Sequence, residues 1–267
     1  MSKVVLITGG SSGIGKSIGI FLSSKNFIVY GTSRNPHKIN NHPFKLIALE
    51  LNNVESINIA IQKVISKEGR LDVLINNAGI GITGPIEETP TEEMRKAFDT
   101  NFFGAIDMMK AVLPQMRLQK YGLIINITSI AGYMGLPFRG IYSATKGALE
   151  LVTEAISMEV KKFGIRVVNV APGDFATDIA SSRYHTPVFE DSVYKEVYQE
   201  NLNIMDAHVS DGNDPIEIAK VICKIIESPN PKIRYRIGGF MEKFSITLKR
   251  LTPDKLYQKI LMKYYKL

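Results

Sequence analysis

Apolar and polar positions along this chain follow two alternating rhythms. KVVLIT (3–8), FIVYGT (27–32), FKLIAL (44–49), LDVLIN (71–76), GLIINIT (122–128), IRVVNVA (165–171) and KIRYRI (232–237) are short, mostly apolar runs closed by Gly, Pro, Asn or Ser/Thr-rich stretches. Runs of that length, apolar at successive positions, predict strands buried on both faces of a parallel sheet. Between them the period becomes helical. Val54, Ile57, Ile61, Val64 and Ile65 line one stripe of a helix over 54–69. Further helices are predicted from Gly13 to about Lys25, from Thr91 to about Arg117, over 142–163 and over 214–228. Thr91 with Glu92 and Glu93 marks a capped, acidic first turn, and Pro114 is expected to kink or shorten that helix. Asp214 is a cap and Pro215 a first helical residue. Strands alternating with helices in this order predict an α/β chain: a doubly wound parallel sheet with helices on both faces, as one domain over 1–267.

Composition narrows the class. Apolar residues make up 45% and charged residues 22% of the chain, the balance of a globular protein. The one cysteine, Cys223, lies in the apolar pattern IAKVICKII and reads as a buried thiol, which together with the absent disulfide fits a reducing, cytoplasmic setting. His37, His42, His185 and His208 lack metal-ligand spacing, and no apolar run is long enough to span a bilayer. The net charge is +7, but residues 241–267 hold seven Lys/Arg against two Asp/Glu. A uniform nucleic-acid-binding surface is therefore not expected, and the charge becomes a question about the tail.

The first candidate for chemistry is TGGSSGIG, Thr8 to Gly15, between the first strand and the first helix. Gly9 suits the sharp turn off the strand, Gly13 the close approach of backbone to a pyrophosphate, and Gly15 the packing of helix on sheet. Ser11, Ser12 and Ile14 complete a loop whose N–H groups and helix dipole favour phosphate. A plain tight turn is the alternative. The loop lacks the GK[ST] of a nucleotide-hydrolysing P-loop. About 20 residues on, where an acid would bond a ribose 2′-OH, the chain reads GTSRNP. No acid stands there, and Ser33 and Arg34 suit a 2′-phosphate, which favours NADP(H) over NAD(H). A solvated surface arginine is the alternative.

The second candidate is YSATK, residues 142–146. Tyr142 and Lys146 are four apart and share a helix face. An ammonium beside a phenol favours the phenolate and lowers a pKa that is ordinarily about 10. Tyr142 is then a candidate acid or base for a carbonyl/alcohol pair. Ser129, at the carboxyl end of a strand, is placed to hydrogen-bond the same oxygen. Each pair alone reads equally well as helix surface and turn.

TGGSSGIG, NNAG (76–79), Asn101 in NFFG, Ser129 in ITSIAG, YSATK and Pro172-Gly173 stand in the order and spacing of the short-chain dehydrogenase/reductase family, which the chain resembles from Lys3 to Gly239. The resemblance implies a Rossmann fold, a nicotinamide cofactor, a homodimer or homotetramer, and hydride transfer between that cofactor and a carbonyl or secondary alcohol. Its catalytic tetrad falls on Asn101, Ser129, Tyr142 and Lys146. Lys146 is implied to bond the nicotinamide ribose and Asn101 to hold a water linking Lys146 to solvent. Asn76 and Asn77 are implied to have a structural, cofactor-adjacent role, with Ala78 and Gly79 near the adenosine side, Pro172, Gly173 and Thr177 beside the nicotinamide, and Glu50 and Leu51 beside the adenine. Glu50 stands where the family often has Asp. The glycine loop, TSRNP and RYRIGG are similar to the 17β-hydroxysteroid and retinol dehydrogenase subgroup.

Residues 174–213 correspond to that family's variable substrate lid. Phe175, Tyr184, Phe189, Tyr194 and Tyr198 would suit a bulky apolar substrate, or only pack the lid on the body. The spacing 189, 193, 194, 197, 198 predicts a helix either way. In the tail, TPDKLYQKILMKYYKL predicts a helix capped by Thr252, with Lys255, Lys259 and Lys263 in a row. Packing of its apolar face on the domain or a partner subunit is the favoured expectation, and peripheral contact with an anionic membrane the alternative. A non-catalytic nicotinamide-binding regulator, a 3-oxoacyl-type reductase and a sugar-nucleotide epimerase are the competing functional readings. The complete tetrad opposes the first, and the glycine spacing and short C-terminal part oppose the last.

Overall fold

The computed structural model describes residues 2–176, 183–210 and 212–267, with the backbone alone for 206–210. Its centre is a seven-stranded, wholly parallel sheet in the order β3-β2-β1-β4-β6-β7-β9. The strands are β1 (Val4–Ile7), β2 (Ile28–Ser33), β3 (Lys45–Ala48), β4 (Val73–Asn76), β6 (Gly122–Ile127), β7 (Ile165–Pro172) and β9 (Arg234–Ile237). Every residue of β1, β4 and β6 is buried, as continuous apolar runs require when helices cover both faces. Val4 and Leu6 of β1 enter one core, Val5 and Ile7 the other.

The first core is closed by α2 (Val54–Glu68), α4 (Gly104–Gln119) and α5 (Gly140–Glu159), through Ile57, Ile61, Met108, Val112 and Leu149. The second is closed by α1 (Gly13–Ser24) and α7 (Ile216–Glu227), through Ile18, Leu22, Ile218, Ile222 and the buried Cys223. The Asn53 side chain accepts from Ser56 N to start α2, and Gly69 at φ 71° ends it. Chain order reverses at β1, since β2 and β3 run out to one side and β4, β6, β7 and β9 to the other. Open sheets of this kind leave a crevice beyond the strand ends at that reversal.

Four departures from the periodicity matter to the site. The helix expected from Thr91 is two helices, α3 (Thr91–Phe98) and α4, joined through a wide π-helical turn over Asp99–Phe103. A π turn inserts one residue without ending the helix, so apolar spacing hardly registers it. Pro114 does not shorten α4, which continues to Gln119. A two-residue strand β5 (Ile82–Thr83) pairs with β8 (Tyr184–His185), a contact too short to leave a pattern. In the lid, α6 spans Lys195–Ser210, starting later than Phe189.

The tail forms two helices, α8 (Phe240–Leu251) and α9 (Asp254–Tyr265). Thr252 lies at the C-cap of α8 and does not cap α9. Ile246 and Tyr257 pack with Ile130 and Met134 in a small third core, so the inner face of the tail does lie on its own domain.

Candidate active site

The glycine loop has the shape expected of it. Gly9 and Gly13 take φ of +66° and +50°. A Cβ on Gly15 would stand 2.3 Å from Gly9 O, and one on Gly10 2.6 Å from Gly31 Cα, so only glycine fits either position. Ser12 precedes α1 in extended conformation without capping it by its side chain, which leaves the helix N-terminus open to an anion. Thr32 of β2 holds the loop: its Oγ1 accepts from Gly9 N at 3.1 Å and its carbonyl from Gly10 N at 3.0 Å. Asn77 donates through Nδ2 to Thr8 O at 2.9 Å, and Thr8 Oγ1 accepts from the N–H groups of Asn77 and Ala78. NNAG thus secures the loop from behind. These residues fit a dinucleotide pyrophosphate. Arg34 and Glu50 are exposed at the carboxyl ends of β2 and β3, with Ser33 and Leu51 partly covered beside them.

Ser129, Tyr142 and Lys146 converge on a single cleft that Ile14, Asn77, Gly79, Pro172 and Gly173 also line. Ser129 follows β6 with extended backbone, and its Oγ accepts from Ala131 N at 3.1 Å. Tyr142 and Lys146 lie in the first turns of α5. Lys146 is buried, and its Nζ donates to Ile127 O at 3.0 Å. Without a carboxylate beside it, burial lowers its pKa to about 8.

Asn101 sits in the π turn. Its Oδ1 accepts from Ile80 N at 2.8 Å and its Nδ2 donates to Ile80 O at 2.9 Å and to Thr145 Oγ1 at 3.2 Å. The amide therefore clamps the backbone beside Gly79, where a Cβ would meet Asn101 Oδ1 at 3.0 Å and Lys146 Nζ at 3.4 Å. Thr177 lies outside the described residues.

The electrostatics differ from the expectation drawn from YSATK. Burial raises the Tyr142 pKa, and the influences that pull it down are the Arg139 charge first, then the Ser129 hydroxyl and Arg183. Lys146 Nζ stands 6.0 Å from the Tyr142 ring centroid, bonded away to Ile127 O, while the Arg139 guanidinium stands 5.5 Å from that ring. The nearer acidifying cation is thus Arg139, three residues before the tyrosine. Arg139, Asp174 and Arg183 all line the cleft, and sequence reasoning did not single them out. Arg139 stands just before α5, outside the helix predicted from Tyr142, so the helical spacing could not place it. The β5–β8 pairing brings Arg183 to the cleft, where the N–H of the next residue, Tyr184, donates to Gly81 O at 3.0 Å.

Glu242 is a further residue that periodicity could not assign. Its carboxylate accepts from Asp174 N and Gly239 N, each at 2.6 Å. Gly173 and Gly238 make room for it, because a Cβ on either would stand 2.2 or 2.5 Å from its oxygens. Glu242 stands at the third position of α8, where a glutamate can reach back to the backbone N–H of the residue before the helix, the one hint in the sequence. Glu242 ties α8 to the loop after β7 that borders the cleft. Glu242→Ala should lower unfolding free energy by about 2 kcal/mol, the worth of hydrogen bonds to a charged group. Urea denaturation of the two proteins measures it; equal midpoints would mean the carboxylate does not hold the loop.

The lid aromatics divide. Phe175 is buried and lines the cleft. Tyr198 is buried against Phe138 and donates to Thr83 O at 3.0 Å, and Tyr194 donates to Glu87 at the surface. Phe189 is largely exposed. Tyr198 thus packs the lid on the body, while Phe175 is the ring that lines the cleft.

Known proteins share this architecture. A family profile described as short chain dehydrogenase matches residues 3–187. A 3-ketodihydrosphingosine reductase from Bacteroides thetaiotaomicron is 40% identical over 98% of this chain and 98% of its own length. The structure of a short-chain dehydrogenase from Streptomyces avermitilis superposes with a TM-score of 0.82 at 30% identity, covering 99% of this chain and 96% of that one. A structure described as ElxO with NADP bound matches 89% of this chain and 97% of its own at 30% identity and a TM-score of 0.71. With the glycine loop, the seven-stranded sheet and the YSATK cleft in one structure, the chain belongs to the short-chain dehydrogenase/reductase family of oxidoreductases.

Proposed function

We propose that this protein is an NADP(H)-dependent reductase that interconverts a ketone and a secondary alcohol, with Ser129, Tyr142 and Lys146 as its catalytic residues. The observation that carries the reading is the convergence of these three on one cleft with Ile14 and Asn77 of the nucleotide-binding side. The nicotinamide supplies hydride to the carbonyl carbon when bound. Tyr142 gives its phenolic proton to the carbonyl oxygen as charge develops there, and the Ser129 hydroxyl donates a hydrogen bond to the same atom. Lys146 orients the cofactor ribose and, once its Nζ leaves Ile127 O for it, adds a cation beside Tyr142. We retain for Asn101 the task of holding a water that connects Lys146 to solvent.

The substrate reading rests on the cleft and on the Bacteroides relative. Ile82 and Phe175 offer apolar surface, whereas Arg139, Asp174 and Arg183 offer charge beside Tyr142. That combination suits a molecule with an apolar body and polar groups close to its carbonyl. A ketone of the 3-ketodihydrosphingosine kind is the first to test, against 3-oxoacyl and plain aliphatic ketones. Following NADPH consumption across that panel is the experiment; no turnover of any ketone would end the reading.

For the cofactor, Arg34 is exposed beyond β2 with no acid next to it, and the related ElxO structure holds NADP. Arg34→Ala should raise KM for NADPH roughly tenfold or more and leave that for NADH nearly unchanged, as expected for losing a charge-assisted phosphate contact. Equal effects on both cofactors would remove the 2′-phosphate contact.

A further inference from the structure

We infer that the outer surface of the α8–α9 hairpin is a docking site for an anionic phospholipid surface. The inner face of the hairpin is accounted for by Ile246, Tyr257 and Tyr265, all buried. The outer face is not. Of the 22 large apolar residues exposed among the described residues, nine lie between Phe240 and Leu267. Phe240 and Leu251 are 76% and 79% exposed, and Phe240 stacks on Phe244 with both rings open to solvent. On α9, Leu256 and Ile260 are one turn apart on one exposed flank.

The same short stretch carries the chain's concentrated positive charge, and the structure takes its acids out of play. Glu242 turns inward to the backbone of Asp174 and Gly239, and Asp254 is paired with Lys249. Lys243, Arg250, Lys255, Lys259 and Lys263 make no ion pair among the described residues. Helices that set exposed aromatics and aliphatics beside unpaired lysines have the composition of an interfacial anchor, in which apolar groups enter the headgroup boundary and lysines face anionic headgroups. A second copy of the chain is a poorer occupant, because a two-fold contact would set this cationic surface against itself. The surface also lies next to the cleft, since Glu242 holds Asp174 and Asn201 of α6 donates to Tyr265 O at 3.0 Å.

The inference is independent of the reaction assigned to the cleft. Its test is flotation of the full chain with phosphatidylcholine vesicles, with and without phosphatidylglycerol. The protein should float with the anionic vesicles only and be released by salt. Combined Lys255→Glu, Lys259→Glu and Lys263→Glu should lower the partition coefficient onto anionic vesicles by about 100-fold, at about fivefold per lysine lost from the surface. Phe240→Ser with Phe244→Ser should weaken binding without changing the melting temperature. Equal recovery on neutral and anionic vesicles, or none on either, overturns the inference. So does a dimer, seen by sedimentation equilibrium, that the Phe240/Phe244 variant dissociates, since the occupant is then another copy of the chain.

Discussion

Tyr142→Phe is expected to lower kcat for ketone reduction by about 10²- to 10⁴-fold, the contribution of a positioned general acid. The substitution removes one oxygen from a ring whose edge packing is otherwise kept, so NADPH binding and the melting temperature should stay close to the parent's. The two consequences separate chemistry from folding. Stopped-flow mixing of NADPH-loaded enzyme with ketone measures the first, and cofactor fluorescence titration the second. The structure adds a refinement. Burial holds the phenol protonated, with Arg139 and Ser129 working against it. A protonated phenol is the form that reduction requires, so the free protein is already charged with its proton at neutral pH. If Tyr142→Phe turns over at the parent rate, the proton comes from elsewhere and the mechanism fails.

Lys146→Met should abolish turnover and, in the cofactor-free protein, increase stability. The ammonium is buried, lacks a carboxylate partner and has its pKa lowered by desolvation to about 8. A displacement of that size from the ordinary lysine value costs the folded state on the order of 3 kcal/mol near neutral pH. Methionine keeps most of the volume and loses the charge. It also loses the charge-assisted bond to Ile127 O, worth about 2 kcal/mol, leaving a net gain of about 1 kcal/mol. The pH dependence has a defined sign. Below pH 8 the lysine is protonated in both folded and unfolded chains, and the full penalty is present. Between pH 8 and the unfolded value the unfolded chain binds the extra proton, so the parent gains stability as pH rises and the difference from Lys146→Met closes. Denaturation midpoints of the two proteins at pH 7 and pH 9.5 test this. A variant less stable at both pH values would mean that Lys146 is held by attraction and not at a cost.

Much of this was readable in the chain, because the relevant signals are local. A parallel strand is a short apolar run, and all seven strands of the main sheet match such runs, β2 and β7 extending one residue further. The glycine loop announces itself by residues that only glycine replaces, and Ser129, Tyr142 and Lys146 announce themselves by spacing. What stayed hidden depends on which elements meet. Asn101 acquires its grip on Ile80 from a π turn that adds a residue inside a helix, invisible to a periodicity count. Arg183 is brought to the cleft beside a pairing of two-residue strands. Glu242 becomes a fastening for the Gly173–Asp174 loop only when α8 folds back against it. The assumption that the nearest lysine governs Tyr142 failed for a similar reason: a shared helix face sets the separation of two Cβ atoms, not where a long side chain ends. Lys146 found a carbonyl on β6, and Arg139 came to stand over the ring.

The pairing of β5 with β8 also bears on when the protein becomes competent. Its two strands are separated by about a hundred residues, and between them come β6, β7 and α5, which must already be in place to bring them together. So small a contact cannot nucleate folding and must await the sheet. The glycine loop depends on Thr32 of β2 and on the NNAG segment, whereas the wall bearing Arg183 waits on the β5–β8 contact. A partly folded chain can therefore offer phosphate-binding backbone before it has the wall that completes the cleft beside Tyr142.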